Sequence, residues 1–221
     1  MATRVFASTA PRLLTALVER WALVPTSVAA DILAGLTVID PAIRPLKPFP
    51  AGKRLAGLAI TALCEGTDYG AVHHAIAIAQ PGDVIVVEAG GRSNPAIIGE
   101  LLSGSARLKG VKGLLINGAV RDVNALREWD DFPVFARHVT PRGPSSCDRG
   151  TVNDVIAIAG VMVAPGDIVL GDDDGVVIVP RAEADAKIEV ALARVAAEVA
   201  WETELQAGLS TLAVFNVPSA S

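Results

Sequence analysis

"GELLSGSARLKGVKGLLINGAVRD", residues 99–122, decides the fold. Glu100 stands at the head of an apolar helical pattern, glycines at 110 and 113 punctuate a turn, and "GLLIN" (113–117) is a short apolar strand. Immediately upstream, "VIVVEA" (84–89) is a β-branched run of the kind buried in a sheet, and "DYGAVHHAIAIAQPGD" (68–83) is a helix ended by Pro81-Gly82. With "LAGLAITAL" (55–63) as a further strand, the order from 55 to 117 is strand, helix, strand, helix, strand. That alternation predicts parallel pairing through right-handed crossovers, with the second helix spanning about 96–109. Ligands of such sheets lie beyond the carboxyl ends of the strands, where Arg121 and Asp122 fall.

On the N-terminal side, "PRLLTALVERWA" (11–22) carries apolar residues at 13, 14, 17, 18 and 21, one helix face. "PTSVAADILAG" (25–35) reads as a second helix, capped by Thr26 or Ser27 and stopped by Gly35. The proline-studded "DPAIRPLKPFPAGKRL" (40–55) is extended loop. After Asp122, "VNALREW" is a short helix, and "FPVFARHV", "TVNDVIAIAG", "VMVAPGDIVLGD" and "GVVIVP" are strands separated by turns. A long Ala-rich helix over roughly 181–207 closes the chain, with Glu183, Lys187, Glu189, Arg194 and Glu198 on its surface. No internal repeat or linker interrupts the pattern, so residues 1–221 are expected to form one α/β domain.

Composition excludes several functions. A net charge of −5 argues against a broad phosphate-binding surface, so no direct nucleic-acid partner is expected. The mean hydropathy of +0.45 is high, but no apolar run reaches the roughly 18–20 residues of a membrane span. The first residues lack the apolar core of a signal peptide, and a cytoplasmic location follows as the expectation. Surplus apolar surface is then expected to be covered in an oligomer. Cys64 and Cys147 have no CxxC or Cys-His neighbours, so neither zinc nor redox motifs are supported.

Among candidate chemistries, Arg121 offers a planar fork of donors suited to a carboxylate or a developing enolate, and Asp122 a hard oxygen ligand for Mg²⁺. The competing explanation is a local salt bridge with Asp122 capping helix 122–128. Glu100 begins a helix whose free backbone N–H groups, following Gly99, could seat an anion; otherwise it is a first-turn acid complementing the dipole. Asp172, Asp173 and Asp174 lack EF-hand spacing and read as a turn between strands. His73, His74 and His138 share no triad spacing, and "EAGGRSN" matches neither GxGxxG nor a P-loop.

"DPAIRPL", "GDVIVVEAGG", "GVKGLLINGAVRDVNAL", "GTVNDV" and "VAPGDIVLGDDDGVVIVP", in this order and followed by a charged helix, resemble the RraA-like family over nearly the whole chain. That family includes the 4-hydroxy-4-methyl-2-oxoglutarate/4-carboxy-4-hydroxy-2-oxoadipate aldolases and the regulators of ribonuclease E activity. Its aldolases are marked by an acidic residue, twenty residues, then Arg-Asp; here Glu100, residues 101–120 and Arg121-Asp122 fit that spacing.

The resemblance implies a layered β/β/α sandwich of the swivelling-domain kind, with a mixed sheet and a long C-terminal helix, assembled as a homotrimer or a hexamer of two trimers. It implies a class II, metal-dependent pyruvate aldolase and oxaloacetate decarboxylase, a lyase working through pyruvate enolate with Mg²⁺ or Mn²⁺. Asp122 would ligate the metal, Arg121 would contact the keto oxygen, and Glu100 would orient a water. Gly99 and the amides of Leu101 and Leu102 would hold the pyruvyl carboxylate, and Glu198 of a neighbouring subunit, with Glu202 as its rival, would complete the site. Glu100 stands where the aldolases usually carry Asp, one methylene shorter. The family equally implies a non-catalytic alternative, a regulator that binds a partner such as ribonuclease E.

Overall fold

The longest fully buried run in the chain is Gly113–Val120, eight residues with nowhere to go but a sheet centre covered on both faces. In the computed structural model, which describes residues 2–7, 11–35, 37–218 and 220, that strand is flanked on both edges. In chain order the first half comprises β1 (Arg4–Val5), α1 (Thr15–Trp21), α2 (Thr26–Ile32), β2 (Arg44–Pro45), β3 (Leu55–Leu63), α3 (Gly70–Ile78), β4 (Asp83–Glu88), β5 (Ala96–Ile98), α4 (Glu100–Leu108) and β6 (Gly113–Val120). The second half comprises α5 (Val123–Arg127), β7 (Val134–Val139), β8 (Thr151–Val152), β9 (Ile156–Ile158), β10 (Val161–Val163), β11 (Ile168–Asp172), β12 (Gly175–Val179), α6 (Arg181–Gln206) and α7 (Thr211–Val214).

Among the described residues the main sheet runs β1-β8-β3-β4-β6-β7-β2. β3, β4, β6 and β7 are mutually parallel, as the alternating pattern requires, and the β11–β12 hairpin joins the sheet antiparallel to β3. One face carries α3, α4 and α5 over a core that includes Val72, Ile85, Ile98, Leu114 and Val120. The other face meets β9, β10 and the hairpin through Val84, Leu115, Phe135, Ile158 and Ile178. A third cluster packs α1, α2 and α6 on the outside of the hairpin, with Trp21 fully buried and its indole N–H donating to the Ala184 carbonyl at 3.1 Å. This mixed α/β architecture with its long C-terminal helix is the fold expected; α6 buries Ala184, Ile188 and Ala191 along one stripe.

Several local expectations need correction. Residues 96–98 are strand rather than helix: Ala96 and Ile98 pair with Ala119 and Val120, and α4 begins at Glu100. The first helix starts at Thr15, because Leu14 is extended with ψ 135°. Pro25, rather than Thr26 or Ser27, holds the N-cap of α2, and the Thr26 hydroxyl instead donates to Asp172 at 2.5 Å. "TVNDVIAIAG" is broken at Asn153, which sits at φ 59°, and "VMVAPGDIVLGD" divides into two strands around a turn. Asp173 and Asp174 do form the turn between β11 and β12.

Candidate active site

β4 pairs with β6 only as far as Asn117; β5 then takes over the same edge at Ala119 and Val120. This exchange delivers the β5–α4 junction directly beside the end of β6. The Arg121 amide donates to the Ile98 carbonyl at 3.0 Å, which fixes the two chain segments against each other.

Asp122 follows in the left-handed region, φ 59° and ψ 36°, a conformation that Asp tolerates better than most residues. Although Asp122 occupies the N-cap position of α5, its carboxylate does not cap that helix. It reaches across to α4, where Oδ2 accepts the Glu100 N–H at 3.1 Å. Arg121 Nε lies 3.6 Å from the same oxygen, and both side chains are nearly half exposed, at 43% and 45%. An ion pair so exposed contributes at most about 1 kcal/mol, so stability alone does not account for the pair. The capping and salt-bridge explanation is therefore only partly met.

Gly99 makes the approach possible. It is the extended N-cap of α4, and a Cβ there would collide with Asp122 Oδ2 and lie 2.8 Å from Arg121 Cγ. The first intrahelical bond of α4 is from Ser103 N–H to the Gly99 carbonyl at 3.1 Å, so the amides of Leu101 and Leu102 precede the helical ladder. Leu101 is 85% exposed and Glu100 is exposed. The start of α4, with Gly99, Glu100 and the amides of Leu101 and Leu102, thus lies against the Arg121–Asp122 pair, which sets a cation and a carboxylate beside free helix amides.

Glu198 does not join them within one chain. It lies on α6, where it accepts from Arg194 Nε at 3.1 Å, and Glu202 accepts from Gln206 Nε2 at 3.2 Å one turn further. Among the described residues no group of three or more His, Cys, Asp or Glu side chains converges as a metal cage. A divalent cation here would be held by Asp122 with water completing its shell. Asp122 suits that role: Oδ1 has no hydrogen-bond partner among the described residues, and carboxylate oxygen is the donor that Mg²⁺ and Mn²⁺ prefer.

Two supporting features escaped sequence reasoning. Behind the site, the Asn117 amide donates to both oxygens of buried Glu88 at 3.1 and 2.8 Å, while Asn117 Oδ1 accepts from Arg137 Nε at 2.7 Å and Arg137 Nη2 binds Asp40 at 2.6 Å. This network ties the end of β4 to the middle of β6 and β7. Hydrogen bonding to Arg137 leads the causes that hold the Asp40 carboxyl below its usual range. The second feature is Asp68, 1% exposed, which accepts the amides of Gly70, Asp148 and Arg149 at 2.7, 3.0 and 3.0 Å. Burial by itself would raise this carboxyl, but those donors and the Ser146 hydroxyl hold it well below the ordinary carboxylate range.

Fold and local geometry together define an α/β protein that sets Arg121 and Asp122 beside a helix start, just past the carboxyl end of a parallel strand. A sequence profile of the RraA-like family, described as Aldolase/RraA, matches residues 26–178, and the chain belongs to that family. A Halalkalibacterium halodurans protein named "Putative 4-hydroxy-4-methyl-2-oxoglutarate aldolase" is 34% identical over 179 residues, 81% of this chain and 83% of that one. Streptomyces coelicolor RraAS2, described as an unusual member of the RNase ES inhibitor RraA protein family, superposes with a TM-score of 0.76 at 25% identity, over 89% of this chain and 98% of its own. An uncharacterized protein from Pseudomonas syringae pv. tomato shares the fold with a TM-score of 0.81 at 22% identity, covering 93% of this chain and 99% of that chain. Among the described residues no helix is long and apolar enough to cross a membrane.

Proposed function

We propose that the chain is a divalent-metal-dependent carbon–carbon lyase that releases pyruvate from 4-hydroxy-2-oxo acids of the 4-hydroxy-4-methyl-2-oxoglutarate type, from oxaloacetate, or from both. The observation that carries this reading is the half-exposed Asp122 carboxylate, set at the start of α4 beside Arg121 and ahead of the Leu101 and Leu102 amides. The likeness to the Halalkalibacterium halodurans protein supports the same class.

The roles follow from the chemistry of each group. The Leu101 and Leu102 amides, at the positive end of α4, receive the pyruvyl carboxylate. Arg121 faces the keto oxygen, which gains charge as the enolate forms. Asp122 holds Mg²⁺ or Mn²⁺, which when bound supplies Lewis-acid polarisation of the oxo acid. In retro-aldol cleavage the C3–C4 bond breaks, its electron pair moves into the enolate, and the 4-hydroxyl loses its proton to a water held by Glu100. In oxaloacetate decarboxylation the C3–carboxylate bond breaks, CO₂ leaves, and the same enolate is protonated to pyruvate. Glu198 of a neighbouring subunit in a trimer, or a dimer of trimers, completes the acidic surround.

The direct test is pyruvate release from both substrates with Mg²⁺, with EDTA, and for Arg121→Ala and Asp122→Ala. Turnover that needs the metal and both side chains is the expected result. Wild-type protein without metal-dependent turnover on either substrate would sink the proposal. A second reading, a regulator that binds a partner such as ribonuclease E, draws on the likeness to RraAS2. Tight capture of ribonuclease E together with absent lyase activity would reverse the ranking.

A further inference from the structure

Two glycines limit the course of the Arg121 side chain. Near its root stands Gly99, whose absent Cβ would lie 2.8 Å from Arg121 Cγ and 3.1 Å from Nε. At its tip stands Gly143, where a Cβ would lie 2.5 Å from Nη1 and 3.4 Å from Cζ. The side chain therefore threads between two glycines from different parts of the chain.

The segment that carries Gly143 is tied down along its length. Thr140 N–H donates to the Val120 carbonyl at 3.0 Å, and the Arg142 carbonyl accepts the Ala96 N–H at 2.8 Å. The hydroxyls of Thr67 and Ser145 are 2.9 Å apart, and Tyr69 N–H donates to the Ser146 carbonyl at 3.1 Å. Asp148 and Arg149 then give their amides to Asp68. Pro144 restricts Gly143 further from the C-terminal side. A wall anchored at both ends does not yield easily when something presses on it.

Resting on the lyase reading, we infer that residues 140–149 form a fixed wall that sets where the Arg121 guanidinium stands, with Gly143 as a positioning residue for the enolate contact. Gly143 does not lie in the left-handed region, unlike Gly150 at φ 111°, so a side chain there carries no backbone penalty and acts through Arg121 alone. To restore an ordinary 3.4 Å contact from 2.5 Å, Nη1 must retreat by 3.4 − 2.5, about 0.9 Å. Misplacement of this size at a reacting centre costs up to about 10²-fold in rate.

The experiment compares wild type and Gly143→Ala by crystal structure, thermal melt and steady-state kinetics with Mg²⁺. The guanidinium is expected to shift by about 1 Å while the Asp68 and Ala96 tethers persist and the melting temperature holds. On oxaloacetate, kcat is expected to fall about 10- to 100-fold, with KM changed less than about threefold, because the lost contact belongs to the transition state. An unmoved guanidinium, or an active variant with wild-type kcat, overturns the inference. Wild-type protein that releases no pyruvate refutes the lyase reading instead, and the crystallographic shift still decides the wall.

Discussion

Asp68 and Asp122 are the same side chain at two ends of one design. Asp68 is buried and its oxygens are taken up by three backbone amides and a hydroxyl, so nothing remains for a ligand. Asp122 is nearly half exposed, holds one amide through Oδ2, and faces solvent beside a guanidinium. The saturated carboxylate organises chain, whereas the unsaturated one is left free to act. What separates structure from chemistry here is the number of donors already spent on each group.

The sharpest way to break that contrast is Asp122→Ala. Pyruvate release is expected to drop by about 10³-fold or more, while unfolding free energy falls by only about 1–2 kcal/mol, mostly from placing Ala in the left-handed region, since the orphaned Glu100 amide is open to water. A large stability loss with activity retained would invert the two roles. Asp68→Ala is expected to do the reverse, costing about 2–4 kcal/mol in urea unfolding because buried amides lose a charged acceptor.

Acid titration sharpens the comparison further. The folded Asp68 carboxyl titrates below its unfolded value, so its stabilisation is complete above the unfolded carboxylate range and is lost as pH falls through the lower folded value. Asp83 runs the other way: burial raises its carboxyl in spite of Arg12, which approaches at 2.5 Å. Its contribution is fully present below the unfolded carboxylate range and is lost as pH rises through the higher folded value. Unfolding free energy measured from pH 3 upward should therefore lose part of its acid-side rise in Asp68→Asn, and lose part of its decline above the carboxylate range in Asp83→Asn. The smallest effect is at the thiols. Burial pushes Cys64 up to about 12, whereas Cys147 is exposed on the wall held by Asp68, so a thiol reagent at neutral pH should label one site per folded chain.

The parallel core was legible because its signals are local. "VIVVEA" and "GLLIN" are short apolar runs between helical patterns, and Arg121-Asp122 stands out as a charged pair after burial. β5 was not legible: "AIIGELL" continues one apolar rhythm, and only pairing with the far end of β6 separates a three-residue strand from the helix that follows. "TPRGPSSCDRG" has no periodicity at all, and its shape is dictated by Asp68, 80 residues away from Asp148. Asn117 likewise looked like a strand end, and its role emerges only with Glu88 and Arg137 assembled around it.

Titration with Mn²⁺ followed by electron paramagnetic resonance, on wild type, Asp122→Asn and Asp68→Asn, tests the central claim most directly. One bound Mn²⁺ per chain in wild type and Asp68→Asn, weakened at least about tenfold in Asp122→Asn, is the predicted result. Equal binding by Asp122→Asn and wild type would contradict it.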